Sequence, residues 1–382
     1  MTRSIFAMLA LAGAASVSAA QDASAGKDSS GFFIKSGDTK LAATGFMQFR
    51  YYMNFRDEAG DNDDLTNGFT TRRTRVSVLG NLTKELSFRV DADAAASTGN
   101  VGTTADVWVD YKLDDNWSLK LGQFKPPLLK EELVGDTNQQ FVERSVVNAV
   151  FTGSRSEGLQ LAYKGDSFRG WVMLNDGLKA SNTNFISETE SDFGLTGRVE
   201  FMWAGDDWKR FDRLSSWREN EYAGTIGAAV HYQDGGETSG TTDQSVLVYT
   251  IDSLTQGNGW NIYVAGVGRN TEPASGDSFD DFGVLVQGGL FVSDQTELFA
   301  RYAFVSPDDN RVNGNDFNEI GAGVGYYFFP KSAAAKFTAD VNLSLDDQSG
   351  SSSIVRPSTN DGFLATSEDD QLYLRLQMQV QF

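Results

Sequence analysis

Residues 371–382 read QLYLRLQMQVQF, and apolar side chains recur at every second position. The apolar set is Leu372, Leu374, Leu376, Met378, Val380 and Phe382. The residues between them are Tyr373, Arg375 and three glutamines. A period of two places alternate side chains on opposite faces of an extended chain. The segment is therefore predicted to be a β-strand with one apolar and one polar face.

The same alternation recurs along the chain and predicts sixteen strands. Their spans are 41–54, 69–80, 84–95, 103–113, 116–124, 156–165, 168–175, 192–204, 223–232, 244–252, 259–268, 282–292, 295–304, 317–328, 335–346 and 371–382. The count is even, as single-chain bacterial barrels require. A final strand that closes on an aromatic residue resembles the C-terminal signature of outer-membrane barrels. Since a sheet in hydrocarbon cannot leave an open edge, we predict an all-β, transmembrane antiparallel β-barrel over 41–382.

The first twenty residues have the pattern of a secretory signal peptide. Arg3 is basic, residues 5–13 (IFAMLALAG) are apolar, and small residues precede Gln21. A membrane anchor is the alternative, but a spanning helix needs about 20 apolar residues. We expect cleavage after Ala20, residues 21–40 to form a periplasmic N-terminal segment, and the mature protein to reside in the cell outer membrane.

Composition narrows the functional classes. The formal net charge of −20 argues against nucleic-acid binding, which requires a basic surface. Cysteine is absent, and we expect no metal site and no cofactor. The single histidine, His231, falls inside a predicted strand without a convincing catalytic partner. An enzyme is therefore disfavoured, although Asp91 and Asp93 leave an acid-based barrel enzyme as an alternative to a hydrated lumen wall.

The connections between predicted strands alternate in length. With the N-terminus taken as periplasmic, one end of the barrel has mostly tight turns and the other has long acidic loops, as expected of outer-membrane barrels. Residues 205–222 (GDDWKRFDRLSSWRENEY) break this rule, because a short turn is expected there. Either this segment is a long periplasmic excursion or the strand count is wrong at this point.

Alternation also predicts which charged side chains face the lumen. Basic residues predominate among them, and those assigned to an anion path on the wall are Arg50, Arg73, Arg75, Arg89, Lys120 and Arg375. Rings of Arg and Lys favour anions, and the planar guanidinium binds two oxyanion oxygens at once. Arg–Asp pairs that cancel the field in a weakly selective pore are an equally tenable interpretation.

Residues 122–133 (GQFKPPLLKEEL) differ from the strands around them. Pro126 and Pro127 cannot continue a strand, and Leu128, Leu129 and Leu133 then follow helical spacing. About thirty residues separate the fifth and sixth predicted strands, and a long connection with its own structure is often functional. We predict that this loop folds into the barrel and narrows the channel.

GQFKPP, the acidic pair that follows it, residues 141–145 (FVERS) and Asn148 together resemble the phosphate-selective porin O/P family. Residues 72–76 (RRTRV) and 31–35 (GFFIK) are similar to other segments of that family, so the resemblance runs from 31 to 382. It implies a trimeric sixteen-stranded porin with an inward third loop. It also implies an oxyanion path that includes Arg73, Arg75, Lys125, Lys130 and Arg144. The chain lacks a dense run of alternating arginines, and residues 153–157 read GSRSE where the family has Gly-Arg-Asp.

The functional prediction is a porin for passive diffusion of small anions, with phosphate or polyphosphate as candidates. The alternatives are a general, weakly selective porin for small hydrophilic solutes and a purely structural or adhesive barrel. The expected partners are small anionic solutes, outer-membrane lipid and lipopolysaccharide, and two further copies of the chain.

Overall fold

The computed structural model describes residues 23–28, 31–56, 65–93, 103–178, 180, 191–235, 244–311, 315–347, 354–366 and 369–382. The predicted signal peptide, 1–20, lies outside these residues. Within them, antiparallel strands form one closed sheet. No helix in the described part of the chain is long and apolar enough to cross a membrane.

A short hairpin of β1 and β2 precedes sixteen barrel strands. The strands are β1 (Ser24–Asp28), β2 (Gly31–Ser36), β3 (Thr39–Phe55), β4 (Leu65–Asn81), β5 (Leu86–Asp93), β6 (Thr103–Lys112), β7 (Trp117–Phe124), β8 (Ser156–Lys164), β9 (Phe168–Asn175), β10 (Phe193–Ala204), β11 (Ala223–Asp234), β12 (Ser245–Gln256), β13 (Trp260–Glu272), β14 (Phe279–Phe291), β15 (Thr296–Ser306), β16 (Phe317–Phe329), β17 (Ser332–Ser344) and β18 (Gln371–Gln381). The last strand pairs with β3, from Leu372 opposite Phe55 to Gln381 opposite Phe46, and this pairing closes the barrel.

The predicted strand count is confirmed, since each predicted span corresponds to one of the strands β3 to β18. The hairpin within 21–40 was not predicted, because strands of five and six residues are too short to show a clear period. It extends the barrel wall at the short-turn end, where β2 pairs with the first residues of β3.

The strands separate an apolar exterior from the interior, as their alternation predicts. In β13, Val264 is 41% exposed on the outside, whereas its neighbours Tyr263 and Ala265 are almost completely buried inside. Aromatic side chains gather on the outer surface at the short-turn end, including the contact between Trp117 and Tyr163. Such a rim is typical of barrels at a membrane interface.

The connection between β7 and β8, residues 125–155, folds into the lumen as predicted, and we call it the inward loop. It contains the helices α1 (Lys130–Leu133) and α2 (Val146–Phe151) and a 3₁₀ turn at Asp136–Asn138. Polar contacts tie it to distant walls: Gln140 Nε2 donates to Glu297 Oε1 of β15 at 2.6 Å, and the Val142 amide donates to Asp340 of β17 at 2.7 Å.

Residues 205–222, between β10 and β11, also enter the lumen, and we call them the long turn. The strand count was therefore correct at this point, and the segment is an excursion. A 3₁₀ helix, Trp208–Asp212, begins at Asp207, whose side chain accepts a hydrogen bond from the Lys209 amide. Phe211 and Leu214 are fully buried inside the barrel.

The two segments make half of the lumen apolar. Leu129 of the inward loop and Leu214 of the long turn join one hydrophobic cluster with inward side chains of β10 to β16, among them Tyr263 and Leu285. The predicted polar inner face of the strands thus holds for only part of the wall. Charged side chains line β3 to β9, β17 and β18, and others, such as Arg198, Asp252 and Arg301, lie among the apolar residues of β10 to β16.

Replacing an outward residue of β12 with arginine is expected to destabilise the barrel according to depth. Ile251, halfway along the strand, is 57% exposed on the outer face. We expect Ile251→Arg to lower the free energy of unfolding from lipid vesicles by about 2–4 kcal/mol. Leu247→Arg, on the same face near the long-loop end, should cost at most about 1 kcal/mol. If urea titrations gave equal losses of unfolding free energy for the two variants, this face would not be in contact with the hydrocarbon core of the membrane.

Candidate functional site: the charged lumen

Glu143 of the inward loop is the first of two acidic anchors in the lumen. Its carboxylate accepts hydrogen bonds from Arg50 at 2.7 Å, Arg72 at 2.9 Å and Arg73 at 3.1 Å. Burial alone would raise the pKa of Glu143, but these three guanidinium groups hold it well below its usual range. The carboxylate is therefore ionised and binds the loop to β3 and β4.

Asp136 is the second anchor and also binds several arginines. It accepts hydrogen bonds from Arg144 at 2.8 Å and Arg75 at 3.1 Å, and Arg73 lies 3.8 Å away. Burial opposes ionisation, yet Arg73 and Arg144 hold the pKa of Asp136 well below its usual value. Arg75 also contacts Asp93 of β5 at 2.8 Å. The anchors thus gather four of the predicted anion-path residues, Arg50, Arg73, Arg75 and Arg144.

A second group of charges lies where α1 meets β9 to β12. Lys130 is 3.5 Å from Glu200, which also contacts Arg169 at 2.6 Å and Arg198 at 2.8 Å. Arg198 pairs in addition with Asp252 at 2.7 Å. Three basic groups therefore share two carboxylates, which leaves one positive charge in excess.

The remaining predicted residues are spread around the wall. Arg89 pairs with Asp91 at 2.8 Å, Lys125 with Glu132 at 3.1 Å, and Arg375 with Asp340 at 2.7 Å. Lys120 differs, because its Nζ lies over the rings of Trp108 and Phe124, and it forms no ion pair with any described residue.

A cavity of about 300 Å³ lies between the inward loop and the wall of β5 to β9. We call it the central cavity. Its basic lining residues are Arg89, Lys120, Lys125, Lys130 and Arg169, and its acidic lining residues are Asp106 and Asp212. Five positive side chains against two negative ones give an excess of three. Five predicted residues do not contact the anchors. Four of them, Arg89, Lys120, Lys125 and Lys130, line this cavity, and the fifth, Arg375, does not.

A second cavity of about 310 Å³ lies towards the long-loop end, beside α2. Among the described residues, its lining includes Arg269, Arg311 and Arg356 and no acidic side chain. Asp281 nevertheless lies behind it and binds Arg269 at 2.7 Å and Arg311 at 2.6 Å. Sequence alternation did not assign these three arginines to the lumen, because they lie at strand ends and in loops.

Arg72 shows a limit of strict alternation. In the pairing of β3 with β4 the register shifts, so that Gln48 faces Arg73 but the next residue, Phe49, faces Thr71. Arg72 is therefore the extra residue of a β-bulge, a device that re-aims a side chain. This bulge lets Arg72 and Arg73 reach the same carboxylate, a contact that a regular strand would not permit.

His231, the only histidine, is buried in β11. Its ring nitrogens contact Thr196 Oγ1 at 2.7 Å and Gln233 Oε1 at 3.1 Å. Asn175 also donates to Thr196 at 3.0 Å, so the histidine belongs to a hydrogen-bonded patch between β9, β10 and β11.

The acidic anchors, the inward loop and the early basic strand all lie in one part of the chain. Residues 47–205 match the family model described as phosphate-selective porin O and P. The family resemblance inferred from the sequence is confirmed over these residues, whereas residues 31–46 and 206–382, to which it was also extended, lie outside the match. The match includes GQFKPP, FVERS and the basic residues of β4 that this porin family resemblance rested on. A comparison with curated proteins found no match.

Solved structures share the porin fold at low sequence identity. An anion-selective porin from Comamonas acidovorans is 12% identical, and the match covers 90% of this chain and 100% of that one with a TM-score of 0.62. The outer-membrane protein OmpT of Vibrio cholerae is 14% identical, with coverage of 92% and 100% and a TM-score of 0.59. A trimer form of OmpT is 14% identical, with coverage of 91% and 100% and a TM-score of 0.59.

Removing the charge of Glu143 is expected to loosen the inward loop. Glu143→Gln keeps the size of the side chain but leaves three guanidinium groups without their shared carboxylate. Since breaking one side of a buried ion pair leaves uncompensated charge, we expect the free energy of unfolding to fall by about 3 kcal/mol. Glu272→Gln, an exposed acid at the end of β13, should change it by less than about 0.5 kcal/mol. Denaturant titration followed by tryptophan fluorescence compares them; similar curves would refute the anchoring role.

Proposed function

We propose that the protein is an outer-membrane porin that forms a water-filled channel for passive diffusion of small anions. The observation that carries this proposal is the excess of basic side chains lining the central cavity. Because the surrounding wall has a low dielectric constant, it focuses the field of these charges into the cavity, and they attract anions more strongly than charges on an open surface. The family match supports phosphate or polyphosphate as candidate solutes. The proposal is that of a channel and not of an enzyme.

A general, weakly selective porin is the second candidate. It is favoured by the pairing of eight of the nine predicted basic residues with carboxylates, since each pair reduces the local field. The two candidates differ in how strongly the unpaired positive charge attracts a solute in the channel. The nine residues proposed for the anion path are Arg50, Arg73, Arg75, Arg89, Lys120, Lys125, Lys130, Arg144 and Arg375.

We further propose a homotrimer, embedded in outer-membrane lipid and lipopolysaccharide. The trimer form of OmpT and the family resemblance support this assembly. The short-turn end then faces the periplasm and the long-loop end faces outward. Chemical cross-linking in intact membranes tests the assembly, and a monomer only would refute it.

Neutralising Lys120 is expected to weaken anion preference. Lys120 lines the central cavity without an ion-pair partner among the described residues, so its charge is the least cancelled of the nine. We expect the wild type to show the reversal potential of an anion-preferring pore under a KCl gradient. Lys120→Gln should shift that potential towards the cation side. Lys84→Gln, an exposed lysine in a tight turn, is the matched control and should leave it unchanged. A wild-type potential near zero would favour the general porin.

Anion preference is expected to fall as the pH rises through about 8. Burial, aided by Arg144, lowers the pKa of Lys125 to about 8. Burial also lowers the pKa of Lys130 to about 8, with Glu200 opposing the shift. Both lysines are charged below this pH and neutral above it, so alkaline conditions remove positive charge from the central cavity.

The matched control for this pH dependence is the double variant Lys125→Arg and Lys130→Arg. Arginine stays protonated to above about pH 12. We measure the KCl reversal potential from about pH 6 to about pH 9.5. With rising pH it should shift towards the cation side in the wild type and stay unchanged in the variant. Parallel falls in both proteins would exclude these lysines as the titrating groups.

A further inference from the structure

The long turn, residues 205–222, reaches from one wall of the barrel towards the opposite one. Near its start, Trp208 lies 4.3 Å below the Arg169 guanidinium of β9, and its Nε1 donates to the Gly165 carbonyl at 2.9 Å. Further along, Ser215 Oγ donates to Glu297 of β15 at 2.8 Å and contacts the Tyr327 hydroxyl of β16 at 3.0 Å. Strands β9 and β15 are six apart in a barrel of sixteen, so the segment between these contacts crosses most of the lumen.

The crossing segment is held by apolar packing and backbone bonds. Phe211, Leu214 and Ser216 are fully buried, and Trp217 packs on Phe291 and Tyr327 with ring-centroid distances of 5.2 and 4.9 Å. These contacts lie on the apolar half of the lumen. The long turn therefore fills the β10 to β16 side of the lumen at the short-turn end.

The middle of the long turn also touches the inward loop. The Leu214 amide donates to the Asn138 carbonyl at 3.3 Å, and Asn138 Nδ2 donates to the Asp212 carbonyl at 3.1 Å. The two segments thus meet inside the barrel, one from each end. No other connection between barrel strands at the short-turn end extends into the lumen among the described residues.

Two successive side chains of the long turn line two different cavities. Asp212 lines the central cavity together with Lys130 and Arg169. Arg213 lines a cavity of about 390 Å³ at the short-turn mouth, beside Asn138 and Lys331. The backbone between them therefore separates the central cavity from the mouth. This point therefore lies between the central cavity and the short-turn mouth.

We propose that the long turn is a second constriction, at which Asp212 sets how strongly the channel prefers anions on the short-turn side of the inward loop. The inference rests on the proposed channel function. Asp212 is exposed to the lumen and forms no ion pair with a described residue. It is one of two carboxylates among the described residues that line the central cavity, so its charge offsets part of the basic excess there.

Cysteine modification tests the position of the constriction, because the chain contains no natural cysteine. Asp212→Cys and the control Asp206→Cys each introduce a single thiol on the long turn. Asp206 is exposed but lines neither cavity. Modification with a sulfonate-bearing methanethiosulfonate should reduce single-channel conductance at 212 and leave it unchanged at 206. No loss at 212, or equal losses at both positions, would overturn the proposal.

Charge removal tests the specificity role separately. Asp212→Asn should shift the KCl reversal potential towards stronger anion preference, whereas Asp206→Asn should not. The Asp212 side chain makes no hydrogen bond with a described residue, and its backbone carbonyl accepts one from Asn138, so the substitution preserves that contact. If the unmodified wild type does not conduct, the channel function itself fails. If it conducts but the two variants behave alike, only the role of the long turn fails.

Discussion

Pairing of β18 with β3 is the contact on which the rest of the structure depends. A sheet in hydrocarbon must satisfy every backbone N–H and C=O, and a closed sheet is the only β-structure that does so. The ten paired positions from Leu372 to Gln381 join the end of the chain to Phe46–Phe55. Closure then fixes which face of each strand turns inward. Arg50 and Arg375 are consequently brought into one lumen although more than three hundred residues separate them in sequence.

The closed wall creates a second problem, because basic side chains forced inward repel one another. Three carboxylates of the inward loop reduce this repulsion, and they enter the lumen on a segment that is not part of the wall: Glu132, Asp136 and Glu143. The same ion pairs therefore serve two purposes. The arginines hold the inward loop in place, and the carboxylates of the loop lower the repulsion between the arginines. What remains is a modest positive excess located at the central cavity, beside Lys120.

The strand pattern could be predicted because a period of two repeats in every barrel strand and the register follows from it. The inward loop could be predicted from Pro126 and Pro127, which end a strand. The pairing of individual charges could not be predicted, because it depends on the loop backbone, which alternation does not describe. In addition, the β-bulge at Arg72 interrupts the alternation of inward and outward side chains. The long turn did carry a signal. Trp208, Phe211, Leu214 and Trp217 recur at intervals of three, the period of a 3₁₀ helix, which indicates a buried apolar stripe and not a solvent-exposed loop.

The apolar half of the lumen explains why two segments fold inward. Tyr263, Ala265 and Leu285 point into the barrel, where an open pore would expose them to water. At roughly 25 cal/mol per Å² of apolar surface, covering them stabilises the loop that does so. Leu129 provides that cover from one end and Leu214 from the other. The wall itself therefore explains why both segments fold inward, since they cover apolar residues of β10 to β16 that would otherwise face water.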